Sequence, residues 1–97
     1  MLPEECRLVL SGTQEQKKAA HLRFFPTWVG PNHYCWGLNF MNRARFSSKD
    51  RIERRFNLQS AASEFSYVLK HSPPNAPNLD QVKIQTQMAE MMLRMQK

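Results

Sequence analysis

Ninety-seven residues with 41% hydrophobic composition, ten aromatic rings and a formal charge of +6 allow one domain with one modest core and leave a large share of the surface in water. That content of Phe and Trp excludes an intrinsically disordered tail, and no run approaches the roughly 18 apolar residues of a membrane span. Nothing at the N-terminus has the charged, apolar and small-residue order of a signal sequence. Cys6 and Cys35, which stand in no recognised pattern, are therefore expected as two reduced, buried thiols of a cytosolic protein.

In chain order, residues 6–10 are short and apolar with Ser11-Gly12 behind them, which reads as a strand. Residues 20–25, ended by Pro26, make a second strand, and the polar stretch 13–18 between them is a long hairpin loop or a helical turn. After turn chemistry at Gly30-Pro31-Asn32, residues 34–40 alternate, with Tyr34, Trp36, Leu38 and Phe40 on one face and Cys35, Gly37 and Asn39 on the other. This is the third strand, in which Gly37 marks a bulge or a close backbone approach. The expectation for the first 40 or so residues is a three-stranded antiparallel β-meander, and for the chain an α+β fold with two or three helices after it.

Beyond Phe46 the pattern turns helical, opening with Ser47 or Ser48 as N-cap and Asp50 in the first turn, where a negative charge suits the helix dipole. Ile52 and Phe56 fall on one side, while Leu58, Ala61, Phe65, Val68 and Leu69 cluster on nearly the opposite side. One straight helix cannot bury both groups in one core, so either the helix breaks near Asn57 or its first stretch packs one way and the second another; a break or kink is the preferred expectation, with Ser60 capping a new start. Pro73-Pro74-Asn75-Ala76-Pro77 then excludes residues 72–78 from any regular element. A last helix runs from Leu79 to about Gln96, capped by Asn78. It carries two apolar stripes: Leu79, Val82, Ala89 and Leu93 on one side, Ile84, Met88, Met91, Met92 and Met95 on the other. The division is an aromatic and basic body over 1–72, a hinge loop over 73–78 and a Met-rich amphipathic helix over 79–97.

Catalytic and metal motifs are missing. His33 and Cys35, with His21 and Cys6 elsewhere, do not supply paired ligands at zinc spacing, and no carboxylate pair, phosphate loop or nucleophile elbow occurs. The expectation is a protein that is not an enzyme and needs no cofactor. Charge is more informative. Between Met41 and Phe56 lie Arg43, Arg45, Lys49, Arg51, Arg54 and Arg55 against Asp50 and Glu53, a net +4 of the chain's +6, a field that favours an anionic partner.

Two kinds of partner fit. Arginines beside a methionine-rich helix with a spare apolar stripe have the composition of protein interfaces, which assigns protein binding to Arg51, Arg54, Arg55, Met88, Met91, Met92 and Met95, with helix-in-groove docking as its concrete form. The alternative is a small basic protein that binds single-stranded DNA or RNA, in which bases stack on rings and guanidinium groups hold phosphates; its residues are Arg43, Arg45, Trp28 and Trp36. The X-Pro bonds at Pro73, Pro74 and Pro77 also make that loop a candidate substrate for a host prolyl isomerase.

The whole chain is small and basic, with its Ser72-Pro73-Pro74-Asn75-Ala76-Pro77 loop ahead of a tail ending Met91-Met92-Leu93-Arg94-Met95-Gln96-Lys97. In these respects it resembles the small anti-RecBCD accessory proteins of lambdoid bacteriophages. The resemblance implies a protein of the host cytoplasm that binds the RecBCD helicase-nuclease without catalysis of its own, modulating the nuclease so that linear phage DNA is protected and phage recombination is favoured. A basic chain is poorly suited to imitating DNA, so it would grip a protein surface or the DNA path beside it.

Overall fold

The computed structural model describes residues 2–96 as five helices: α1 Glu4–Ser11, α2 Gln14–Phe24, α3 Pro31–Phe46, α4 Arg51–His71 and α5 Leu79–Met95. No strand occurs among the described residues, so the expected meander, and with it the α+β class, is corrected to all-α. Met1 and Lys97, the outer limits of the expected body and tail, lie outside the described residues.

Each expected strand fails for a local reason. Residues 6–10 belong to α1, whose first turn carries Glu4 and Glu5 at the positive end of the helix dipole. Residues 20–24 lie in α2, which Thr13 opens through a capping box: its Oγ1 accepts from the Gln16 N–H at 3.2 Å, and Gln16 Oε1 accepts from the Thr13 N–H at 2.9 Å. Residues 34–40 lie in the middle of α3. Gly30 adopts a left-handed conformation with φ 68°, and Pro31 takes the first helical position, where its missing N–H costs nothing. Along α3 the buried residues Tyr34, Gly37, Met41 and Ala44 recur at steps of three and four, the helical period. Trp36 and Phe40, which alternation placed with Tyr34, are instead exposed and half-buried.

Helix α4 runs unbroken through Asn57. The break was required only if Ile52 and Phe56 needed burial, and they are 82% and 60% exposed. Ser47 and Ser48 do not cap it. Ser47 closes α3, and Asp50 is the N-cap, its Oδ1 accepting from the Glu53 N–H at 2.8 Å. Ser60 lies mid-helix.

The largest interface joins α3 to α4, the next α4 to α5, while α1 and α2 form a hairpin against α3. At the α3–α4 crossing Gly37 lets the Phe65 ring lie directly on the backbone, so close that any Cβ there would overlap it. Phe25, Trp28, Tyr34 and Phe65 continue this contact as a tilted and edge-to-face network with centroids 4.8–6.0 Å apart. Cys6 and Cys35 are joined in a disulfide with Cα atoms 5.2 Å apart, which corrects the expectation of two reduced thiols and fastens α1 to α3.

The loop over 72–78 is anchored at both ends. Trp28 Nε1 donates to the Pro77 carbonyl at 2.6 Å, and the Val29 N–H donates to Ser72 Oγ at 2.9 Å. Beyond it, α5 turns Leu79, Val82 and Ala89 into the common core. The molecule is a slab of 42 × 28 × 15 Å, thin enough to enclose only one layer of side chains. Its accessible surface, 6396 Å², exceeds the roughly 5,800 Å² expected of a monomer this size.

Candidate functional site

Exposed apolar side chains and cations converge where α3 ends, α4 begins and α5 finishes. The α3–α4 turn is rigid: Ser48 Oγ donates to the Arg43 carbonyl at 2.8 Å and accepts from Asn57 Nδ2 at 3.0 Å. Its two carboxylates serve the helix start, Asp50 through the Glu53 N–H and Glu53 Oε2 through the Lys49 N–H at 2.8 Å. Neither pairs with an arginine. The one salt-bridge-length contact among the described residues joins His33 Nδ1 and Glu64 Oε1, 2.6 Å apart, elsewhere on α3 and α4. The arginines of this corner form no salt bridge among the described residues, and with Asp50 as the single carboxylate in the groove lining the local balance stays positive.

Helix α5 closes the third side. Gln96 Nε2 donates to the Arg51 carbonyl at 2.6 Å, while its enclosed Oε1 has no donor among the described residues. Between the helices lies an open groove of 530 Å³, lined by Ala44 and Arg45 of α3, Ser48 and Asp50 of the turn, Arg51 and Arg54 of α4, and Met92, Met95 and Gln96 at the end of α5. Guanidinium forks facing pliable thioethers can accept carboxylates and apolar side chains from one partner surface.

Of the seven expected protein-binding residues, the groove unites Arg51, Arg54, Met92 and Met95. Arg55 faces an adjoining depression with Arg51 and Ile52. Met88 leans on the core, and Met91 is exposed outside the groove lining. Of the four nucleic-acid candidates, Arg45 joins the groove, whereas Arg43 lines a separate depression between α1 and α3. Trp28 is corrected: at 2% exposure it is a core residue and offers no face for stacking. Trp36 is 42% exposed. Pro73, Pro74 and Pro77 are all exposed, and no described peptide bond is cis.

Three exposed residues beside the turn were assigned to no site from the sequence: Phe46, Ile52 and Phe56. Phe56 stands edge-on to Phe40, and Arg43 lies over the Phe40 ring with its Cζ 5.4 Å from the centroid. The signal was present, since Ile52 and Phe56 oppose the Leu58-Ala61-Phe65 face; an apolar pair off the core side of a helix marks either a break or a surface patch. As for metal sites, no group of three or more His, Cys, Asp or Glu is placed to hold an ion among the described residues, and Cys6 and Cys35 are committed to each other. No described helix is long and apolar enough to cross a membrane. Comparison of the chain with protein-family models, curated proteins and solved structures finds no match.

Proposed function

We propose that the chain is a non-catalytic accessory protein that docks through the α3–α4–α5 groove onto a host DNA-processing enzyme. The RecBCD helicase-nuclease is the partner that the whole-chain resemblance implies, and the host cytoplasm the compartment, where the Cys6–Cys35 disulfide has to persist against a reducing thiol pool. Docking would modulate the nuclease, protecting linear phage DNA and favouring recombination. The observation that supports this reading is the groove itself, which brings together arginines from α3 and α4, without a salt bridge among the described residues, and Met92 and the exposed Met95 from α5. Trp, Tyr and Arg anchors beside flexible apolar contacts are characteristic of interfaces that bind by shape and charge together. The exposed prolines at 73, 74 and 77 keep a host prolyl isomerase as a second candidate partner on the far side of the molecule.

Purified RecBCD and the full chain, both treated with nuclease, should co-elute on size-exclusion chromatography, and the complex should degrade linear duplex DNA at an altered rate. The double variant Arg51→Glu, Met95→Glu should weaken the complex at least tenfold while its circular dichroism stays unchanged. No complex, or one that disappears on nuclease treatment, would overturn the reading.

A further inference from the structure

We infer that the solvent face of α3, with Arg7 of α1 beside it, is a binding platform for single-stranded nucleic acid, separate from the docking groove. Trp36, Asn39, Arg43 and Phe46 follow one another at steps of three, four and three, which puts them on one side of the helix over about 15 Å at 1.5 Å per residue. The two ends of this row are aromatic rings open to solvent, 42% and 66% exposed. Between them Arg7, Asn39, Asn42 and Arg43 line a depression of 450 Å³ that also reaches Phe46.

Three observations point to a strand of nucleotides as the occupant. First, α3 contains no acidic residue, and neither Arg7 nor Arg43 has a carboxylate partner among the described residues; Arg43 is instead held in place over the Phe40 ring. Second, the Asn39 and Asn42 amides make no side-chain hydrogen bond among the described residues, which leaves donors and acceptors for base edges. Third, cations and amides set between flat rings match a polymer that offers a phosphate and a π face at every repeat. An acidic protein would use the guanidinium groups but offers a flat face only where an aromatic side chain happens to fall, not at every repeat. Paired bases hide their faces, so a single strand should be preferred to a duplex. The disulfide from Cys6 to Cys35 fastens the backbone next to Arg7 to α3, which keeps the two helices that carry the platform in register.

The test is fluorescence anisotropy of a labelled oligothymidylate titrated with the full chain over a range of salt, with no other protein present. Binding should weaken as salt rises, and Arg7→Gln with Arg43→Gln should flatten the log–log slope by about 1.4, or 0.7 per lost phosphate contact. Trp36→Ala and Phe46→Ala should each weaken binding about tenfold, and the oligonucleotide should shield Trp36 from acrylamide quenching. Lys70→Gln with Lys83→Gln, which removes two distant charges, should leave the slope as it was. The proposal is overturned if the charge controls lower the slope as much as the arginine variants do, or if the ring variants bind normally. It is equally overturned if polyglutamate displaces the oligonucleotide with equal potency, which would make the face a site for acidic protein. Loss of RecBCD binding is read in a different assay and bears only on the docking groove.

Discussion

The two ends of the helical slab use aromatic residues in opposite ways. Where α2 meets α3 and the proline loop returns, Phe25, Trp28, Tyr34 and Phe65 interlock out of reach of water, and the Trp28 N–H is spent on the Pro77 carbonyl. Where α3 turns into α4, Phe46 stands in solvent beside Arg7 and Arg43, and Phe56 beside Lys49, Asp50 and Glu53. Composition is similar in the two places, but one end holds the molecule together and the other faces outward. An aromatic residue therefore says little about role until its neighbours are known: glycine and proline surround the first set, charge surrounds the second.

Substitutions that separate these ends should differ sharply in their effect on stability. The largest loss is expected for Phe65→Ala, about 3–5 kcal/mol by urea denaturation, because the ring fills the space over Gly37 and the core cannot collapse around its absence. Replacing both Cys6 and Cys35 by Ser should cost about 2–4 kcal/mol by releasing a cross-link that spans 29 residues; equal stability of the variant and the parent under oxidising conditions would count against the fastening of α1. At the corner leading into Trp28, Thr27 has φ 66°, a left-handed conformation that a β-branched residue adopts only under strain. Thr27→Asn should accordingly raise stability by about 1 kcal/mol. Next comes an effect confined to alkaline solution. Burial, and then the charge of Glu5, hold the Tyr34 hydroxyl above its ordinary value of 10.0. The folded state therefore keeps a proton that the unfolded chain releases, so the contribution is intact below pH 10 and is lost as pH rises through the raised value. Stability measured across that range should fall less steeply for Tyr34→Phe. The smallest effect belongs to the outward end, where Ile52→Ser should change stability by no more than about 0.5 kcal/mol. A larger loss there would mean that the exposed corner is part of the core after all.

Much of the C-terminal half was legible because its punctuation is local. The proline loop, the start of α5 at Leu79 and the stripe of Leu79, Val82 and Ala89 follow from φ restriction and a clear 3.6-residue period. The gathering of Arg51 and Arg54 with Met92 and Met95 was only half legible: the residue types were identified, but their meeting depends on α5 running back along α4. The N-terminal half was misread because residues 34–40 sample a helix over too short a window. Large residues at 34, 36, 38 and 40 imitate a period of two, and the stronger signals lay outside that window: Gly30-Pro31 as a helix start, and Thr13 with Gln16 as a capping box. The pairing of Cys6 with Cys35 has no local signature, since it needs α1 laid across α3 before the sulfur atoms can meet. The surface role of Ile52 and Phe56 was hidden by the assumption that apolar side chains must be enclosed, which a thin molecule cannot satisfy.

The seat of Phe65 on Gly37 has an implication for how related chains could diverge. Neither position can change size by itself: a side chain at 37 collides with the ring, and a smaller residue at 65 opens a void above bare backbone. Drift at these sites would have to proceed by paired, compensating exchange, bulk moving from α4 to α3. Homologous sequences should then show the two columns varying together, with glycine at the first wherever the second is phenylalanine.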